Sequence, residues 1–128
     1  MRLDQRASYM SNAKWRKLFE VLRSSNIFIP YSRWKLVDDP RIFVHFYFPD
    51  LHDLNEAGIR DGRLITISFA DIELIEIPRS YPDHRGDAKR PLPELLQDLD
   101  AIQRALGQAG QFPLQMSDQA LVIRGYEA

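Results

Sequence analysis

The side chains in this chain that could do acid–base chemistry near neutral pH are His45, His52 and His84. Beside a carboxylate within hydrogen-bond reach, an imidazole can serve as a general base, so a small enzyme with a composite histidine–carboxylate site at His45 or His84 is one expectation. Asp50, His52 and Asp53 lie close together, but no HExxH or paired-histidine spacing sets ligands on one helical face. Asp50 is better read as a helix cap. Cysteine is absent, which removes thiolate nucleophiles, disulfides and zinc–thiolate sites. No GxSxG elbow is present, and the glycines at 58, 62, 86, 107, 110 and 125 stand apart, so no loop cradles a phosphate. No catalytic residue, metal or cofactor is assigned, and the reading leans away from an enzyme.

Two constellations suit binding better. Phe43, His45 and Tyr47 share one face of a strand, and Asp71, Glu73 and Glu76 stand outward on or beside another. Together they describe an aromatic, acid-rimmed surface of the kind protein interfaces use. The competing reading has helices covering Phe43 and Tyr47, and both readings stand. The second constellation is basic: Lys14, Lys17 and Arg23 on the first helix, with Arg79, Arg85, Lys89 and Arg90 in a loop, could meet phosphates. Asp83 and Asp87 dilute that loop, and lysine and arginine are ordinary residues for a solvated helix face. The formal charge of -1 ranks nucleic acid below protein as a partner.

A chain of 128 residues, 45% hydrophobic and 27% charged, has the composition of one ordinary globular domain rather than a disordered segment. Its charge is segregated, with eight lysines and arginines against two acids in residues 1–36, and seven acids against two arginines in residues 50–76. The most apolar run, 42–48, is far short of the ~20 residues a bilayer span requires, so no membrane partner is expected. The first residues lack the apolar stretch of a secretory signal. A cytoplasmic location follows as an expectation.

The elements that must position these residues read as follows. Trp15, Leu18, Phe19 and Leu22 recur at helical spacing, predicting a helix over 11–24 with Ser11 or Asn12 as cap and Asn26 as a left-handed stop. Residues 33–37 and 42–48 alternate as strands around the turn Asp38-Asp39-Pro40. Asp50 caps a short helical connector ended by Gly58, and 64–69 forms a third strand with Ile65, Ile67 and Phe69 inward. Residues 71–77 form a fourth, whose phase slips at Leu74-Ile75 through a bulge or because both faces are covered. Residues 78–91 read as a long loop. Pro93 then opens a second helix whose face is Leu95, Leu99, Ile102 and Leu106, ended by Gly107. Short strands at 112–116 and 121–123 complete the sheet edge. The whole is a single α+β domain over 1–128: a mainly antiparallel sheet of about five strands with an N-terminal helix and a second long helix near the C-terminus, and residues 1–10 a flexible or extended lead-in.

The opening Ser11-Asn12-Ala13-Lys14-Trp15-Arg16 and the strand Asp71-Ile72-Glu73-Leu74-Ile75-Glu76-Ile77 resemble a family of small uncharacterised bacterial proteins. Its members share an N-x-K-W-R helix and a D-I-E-x-I-E-I strand, and the closing Ile123-Arg124-Gly125-Tyr126 extends the likeness. The resemblance implies no catalytic residues, and it makes Trp15 a core anchor. Such proteins include immunity proteins and accessory regulators. The leading expectation is accordingly a non-enzymatic protein-binding module, immunity-like or regulatory. A nucleic-acid-associated accessory protein using the basic helix and the loop 78–91 is the alternative. A homodimer through an open sheet edge is compatible with either.

Overall fold

The computed structural model describes residues 7–45, 48–60 and 66–127, with His45 described by its backbone alone. Helix α1 (Asn12–Ser24) starts where Ser11 accepts a hydrogen bond from the Lys14 amide at 3.1 Å, and Asn26 leaves it with φ 55°. Trp15, Leu18, Phe19 and Leu22 are all buried, as their spacing requires. Strands β1 (Ser32–Leu36) and β2 (Ile42–His45) form the expected antiparallel hairpin, with Asp38 at φ 65° in its turn.

The connector after Pro49 is a single 3-10 turn, Leu51–Asp53, in which the Asp53 carboxylate accepts from the Asp50 amide. Gly58 does not end a helix. It opens β3 (Gly58–Arg60), which pairs with β4 (Thr66–Ser68) in a separate two-stranded sheet. The two backbones approach so closely there that a Cβ on Gly58 would lie 2.2 Å from the Ile67 carbonyl oxygen. The third expected strand therefore lies outside the main sheet, although Ile67 and Phe69 point inward as its alternation demands.

After the 3-10 turn Phe69–Asp71 comes β5 (Ile72–Pro78), then the short strands β6 (Ser80–Tyr81) and β7 (Leu95–Leu96), which pair with each other. The loop 78–91 is thus most of a hairpin arm. Helix α2 (Leu99–Ala109) begins later than Pro93 suggests, because the Asp98 side chain takes the Ala101 amide at 3.0 Å and supplies the cap. Leu95 belongs to the arm and not to the helix face, whereas Leu99, Ile102 and Leu106 are fully buried. Gly107 lies inside α2, which stops at Gly110. Strands β8 (Leu114–Met116) and β9 (Ala120–Arg124) follow.

The main sheet runs in the order β2-β1-β5-β9-β8, and all its neighbours are antiparallel. This is the expected α+β fold with one change: of the two C-terminal strands only β8 lies at an edge, and β9 is inserted between β5 and β8. The phase slip in β5 is a bulge. Lys35 pairs with Leu74 and Leu36 with Ile72, which leaves Glu73 as the extra residue. Side chains sort by register into rows. Phe43, Trp34, Ile75, Ile123 and Leu114 form a row on the inner face, and Val44, Arg33, Glu76, Val122 and Gln115 form the neighbouring row on the outer face.

Both helices pack on the inner face. The core centres on Phe19, whose ring stacks on Trp15, Trp34 and Phe69 at centroid distances of 6.0, 5.8 and 6.1 Å and meets Phe48 edge-on at 5.6 Å. Of the lead-in, residues 7–10 are tied down and residues 1–6 lie outside the described residues: the Tyr9 amide donates to the Gly125 carbonyl at 2.8 Å, Ser8 bridges Tyr126, and Met10 is buried. Gly125 is required at this junction, since a Cβ would sit 2.1 Å from the Ile72 carbonyl oxygen. Next to it, the Tyr126 hydroxyl donates to the Ala70 carbonyl.

Candidate functional site

With both helices on one face, the other face of the five-stranded sheet is left open among the described residues. On it, Ile42 and Val44 are 56% and 45% exposed, the most exposed aliphatic side chains of the main-sheet strands among the described residues. Beside Val44, the Arg33 guanidinium donates to the Glu76 carboxylate at 2.7 Å. That bond holds the Arg33 pKa above its ordinary value. Arg33 also lies over the Tyr31 ring at 5.8 Å, and Tyr31 stacks on Tyr81 of the hairpin arm at 5.1 Å. At the bulge, Lys35 pairs with Glu73 at 3.6 Å. The face is aliphatic at its β2 side and internally charge-paired at its centre.

The expected aromatic–acidic surface is divided by the sheet. Phe43 is half-buried against the core, in line with Trp34 and Ile75, so it faces the helices. The Arg41 guanidinium covers its ring from the solvent side at 5.0 Å. The His45 backbone pairs with Ser32, and Tyr47 lies outside the described residues. Glu76 stands on the opposite face, Glu73 is the bulged residue, and Asp71 ends a 3-10 turn where its carbonyl accepts the Val37 amide at 2.8 Å. Phe43 and Glu76 therefore cannot belong to one patch. Ile42, Val44, Arg33 and Val122 were missed. The signal for them was Trp34: a strand residue that large is best buried, so whichever β2 residue lies opposite it must also point inward.

The basic constellation is split as well. Lys14 and Lys17 lie on α1, with the Lys17 ammonium near Gly110, where the carbonyl end of α2 favours a cation. Arg23 pairs with Asp50 across an open pocket of about 510 Å3 walled by Ile27, Phe28, Leu51 and His52. In the arm, Arg79 donates to the Asp118 carbonyl and Arg85 binds both oxygens of Asp83. Asp87 accepts the backbone amides of Lys89 and Arg90. Two of the four arm cations are thus committed to the protein itself.

Of the histidines, His52 is largely exposed and 3.4 Å from Asp53, and His84 is exposed. Among the described residues no group of three histidine, aspartate or glutamate side chains could hold a metal ion. His84 stands beside Asp83, whose carboxyl is lowered chiefly by Arg85 and least by His84. The displaced carboxylates belong to two Asp-x-Arg clips, Asp39 with Arg41 and Asp83 with Arg85. In each, the arginine side chain and then its amide pull the carboxyl down to about 2. A depressed folded-state pKa contributes stability above the ordinary value near 3.8, and that contribution fades as pH falls toward 2. In a carbon-detected NMR titration the Asp83 carboxyl should have its midpoint near 2, and Arg85→Ala should return it toward 3.8. An unchanged midpoint would show that Arg85 does not hold the clip in solution.

Among the described residues no helix is long and apolar enough to cross a membrane. No curated protein and no solved structure matches the chain. Residues 1–128 match a family of unknown function, DUF6678, and the chain belongs to it.

Proposed function

We propose that this chain is a non-enzymatic protein-binding module that receives another protein on the open face of its sheet. One observation carries the reading: α1 and α2 both pack on the inner face, while Ile42 and Val44 on the other face are left about half exposed beside the Arg33–Glu76 pair. Aliphatic side chains around a fixed ion pair supply the apolar anchor and the polar register that protein interfaces combine. A bacterial, cytoplasmic setting and an immunity-like or regulatory role extend the proposal. They are supported by the cysteine-free composition and the likeness in the first helix and central strand. Nucleic acid is the weaker partner, because Arg79 donates to the Asp118 carbonyl and Arg85 to the Asp83 carboxylate, so both are spent on the protein itself.

The test is capture from host lysate with the intact chain and three variants, two on the face and one on the arm. Val122→Lys places a charge on the open face, and the double exchange Arg33→Glu/Glu76→Arg keeps the internal ion pair while reversing what a partner meets. A partner retained by the wild type and by Leu96→Lys on the arm, but lost with both face variants, is the expected result. A partner retained equally by all four chains would remove the face from consideration. Capture of nucleic acid that falls steeply with salt would favour the arm instead.

A further inference from the structure

We propose that strand β2 pairs with β2 of a second copy of this chain, joining two five-stranded sheets into one of ten strands. β2 is the edge of the main sheet, and an edge strand turns alternate amide and carbonyl groups away from its one neighbour. Proteins that keep such an edge to themselves guard it with a charge, a proline or a bulge. Ile42-Phe43-Val44-His45 has no proline, lysine, arginine, aspartate or glutamate, and its register against β1 is unbroken. The bulge in this sheet lies two strands further in, at Glu73 of β5, where it does nothing for the β2 edge.

The strand is also self-complementary. Cross-strand neighbours in an antiparallel pair share a face, so a two-fold axis through Phe43 sets Ile42 of one copy beside Val44 of the other, and repeats this on the far side of the axis. The four exposed aliphatic side chains become one stripe on the outer face. On the inner face Phe43, which the core covers only in part, gains the second Phe43 as its neighbour. The charges that precede the strand do not oppose the approach, because Arg41 and Asp39 already neutralise each other in a bidentate pair. Four residues a side bury less than the ~1,200 Å2 of a standard stable interface, so the pairing is expected to be reversible on dilution. It does not depend on the open face taking a different protein.

Sedimentation equilibrium over a concentration series, from low micromolar to millimolar, tests it. The mass of the wild type should rise from 14.9 kDa toward twice that value, while Ile42→Lys/Val44→Lys, with an unchanged circular dichroism spectrum, should stay at 14.9 kDa. Because the chain has no cysteine, introduced thiols report the register. Under mild oxidation a mixture of Ile42→Cys and Val44→Cys chains should cross-link, and each alone should not. A wild type that stays monomeric throughout overturns the pairing and leaves the partner capture untouched. A dimer that survives the two lysines overturns its placement at β2, and efficient cross-linking within either single variant overturns the register.

Discussion

Phe19→Ala is expected to lower stability by about 3–5 kcal/mol, the range for truncating a fully buried phenylalanine. The upper end applies here because the ring touches four other aromatic rings and none of them can follow it into the cavity. Trp15 is carried by the same helix, Trp34 is locked in the sheet, and Phe48 and Phe69 sit on separate segments. Domains are held by only ~5–15 kcal/mol in all, so the variant should melt on the order of 10–20 °C lower and sit close to its threshold at 37 °C. Urea unfolding with an unchanged slope would assign the loss to packing. Leu96→Ala, at a site 78% exposed, should stay within about 0.5 kcal/mol of wild type and serves as the contrast. A Phe19→Ala chain as stable as that control would mean the aromatic cluster is not the core.

The second large effect is expected at Gln97, a polar side chain only 5% exposed. Its Nε2 donates to the Pro78 carbonyl at 2.7 Å, its Oε1 accepts the Tyr31 amide at 3.2 Å, and its own amide donates to the Arg79 carbonyl at 2.7 Å. One residue thereby pins the arm to the end of β5 and to the start of β1. Gln97→Leu keeps the bulk but leaves a buried N–H and a buried C=O without their partner, at about 1–3 kcal/mol each. The arm should also loosen, seen as faster amide exchange at Tyr31 and Gly86 together. Gln97→Glu separates the two bonds. Its carboxyl can donate to Pro78 only when protonated, and burial raises its folded-state pKa. That variant should be most stable below about pH 4 and lose stability as pH rises, whereas Gln97→Leu should lack this dependence. Equal pH profiles would sink the assignment.

Much of this fold could be read from local pattern. Helix α1 was legible because Trp15, Leu18, Phe19 and Leu22 are four apolar residues at one helical spacing, and the slip at Leu74-Ile75 marked an irregularity that only the register against β1 resolves as a bulge. Where two local signals competed, the proline misled: Pro93 suggested an early start to α2, but Asp98 holds the cap, and Leu95 went to the arm. The candidate site was less legible because it depends on pairing between distant strands. Nothing near Phe43 in sequence says that it stands across from Trp34 and in line with Ile75, and that alignment decides which half of β2 meets solvent. Gln97 was invisible for a related reason. A glutamine reads as surface until the segments that supply its two backbone partners, 66 and 19 residues away, are in place.

The position of β9 bears on how the molecule is made. β9 is the last strand among the described residues, yet it lies inside the sheet, and the strap at residues 7–9 pairs with residues 125–127. On a ribosome adding ~5–20 residues per second, α1 and the β1–β2 hairpin emerge well before the strand that closes the core. Through that interval Ile75 and Ile77 stand on an unpaired β5 edge that Leu121 and Ile123 will later cover. A nascent chain of this kind cannot finish folding in instalments. It must be shielded, or kept dilute, until residues 120–127 have emerged.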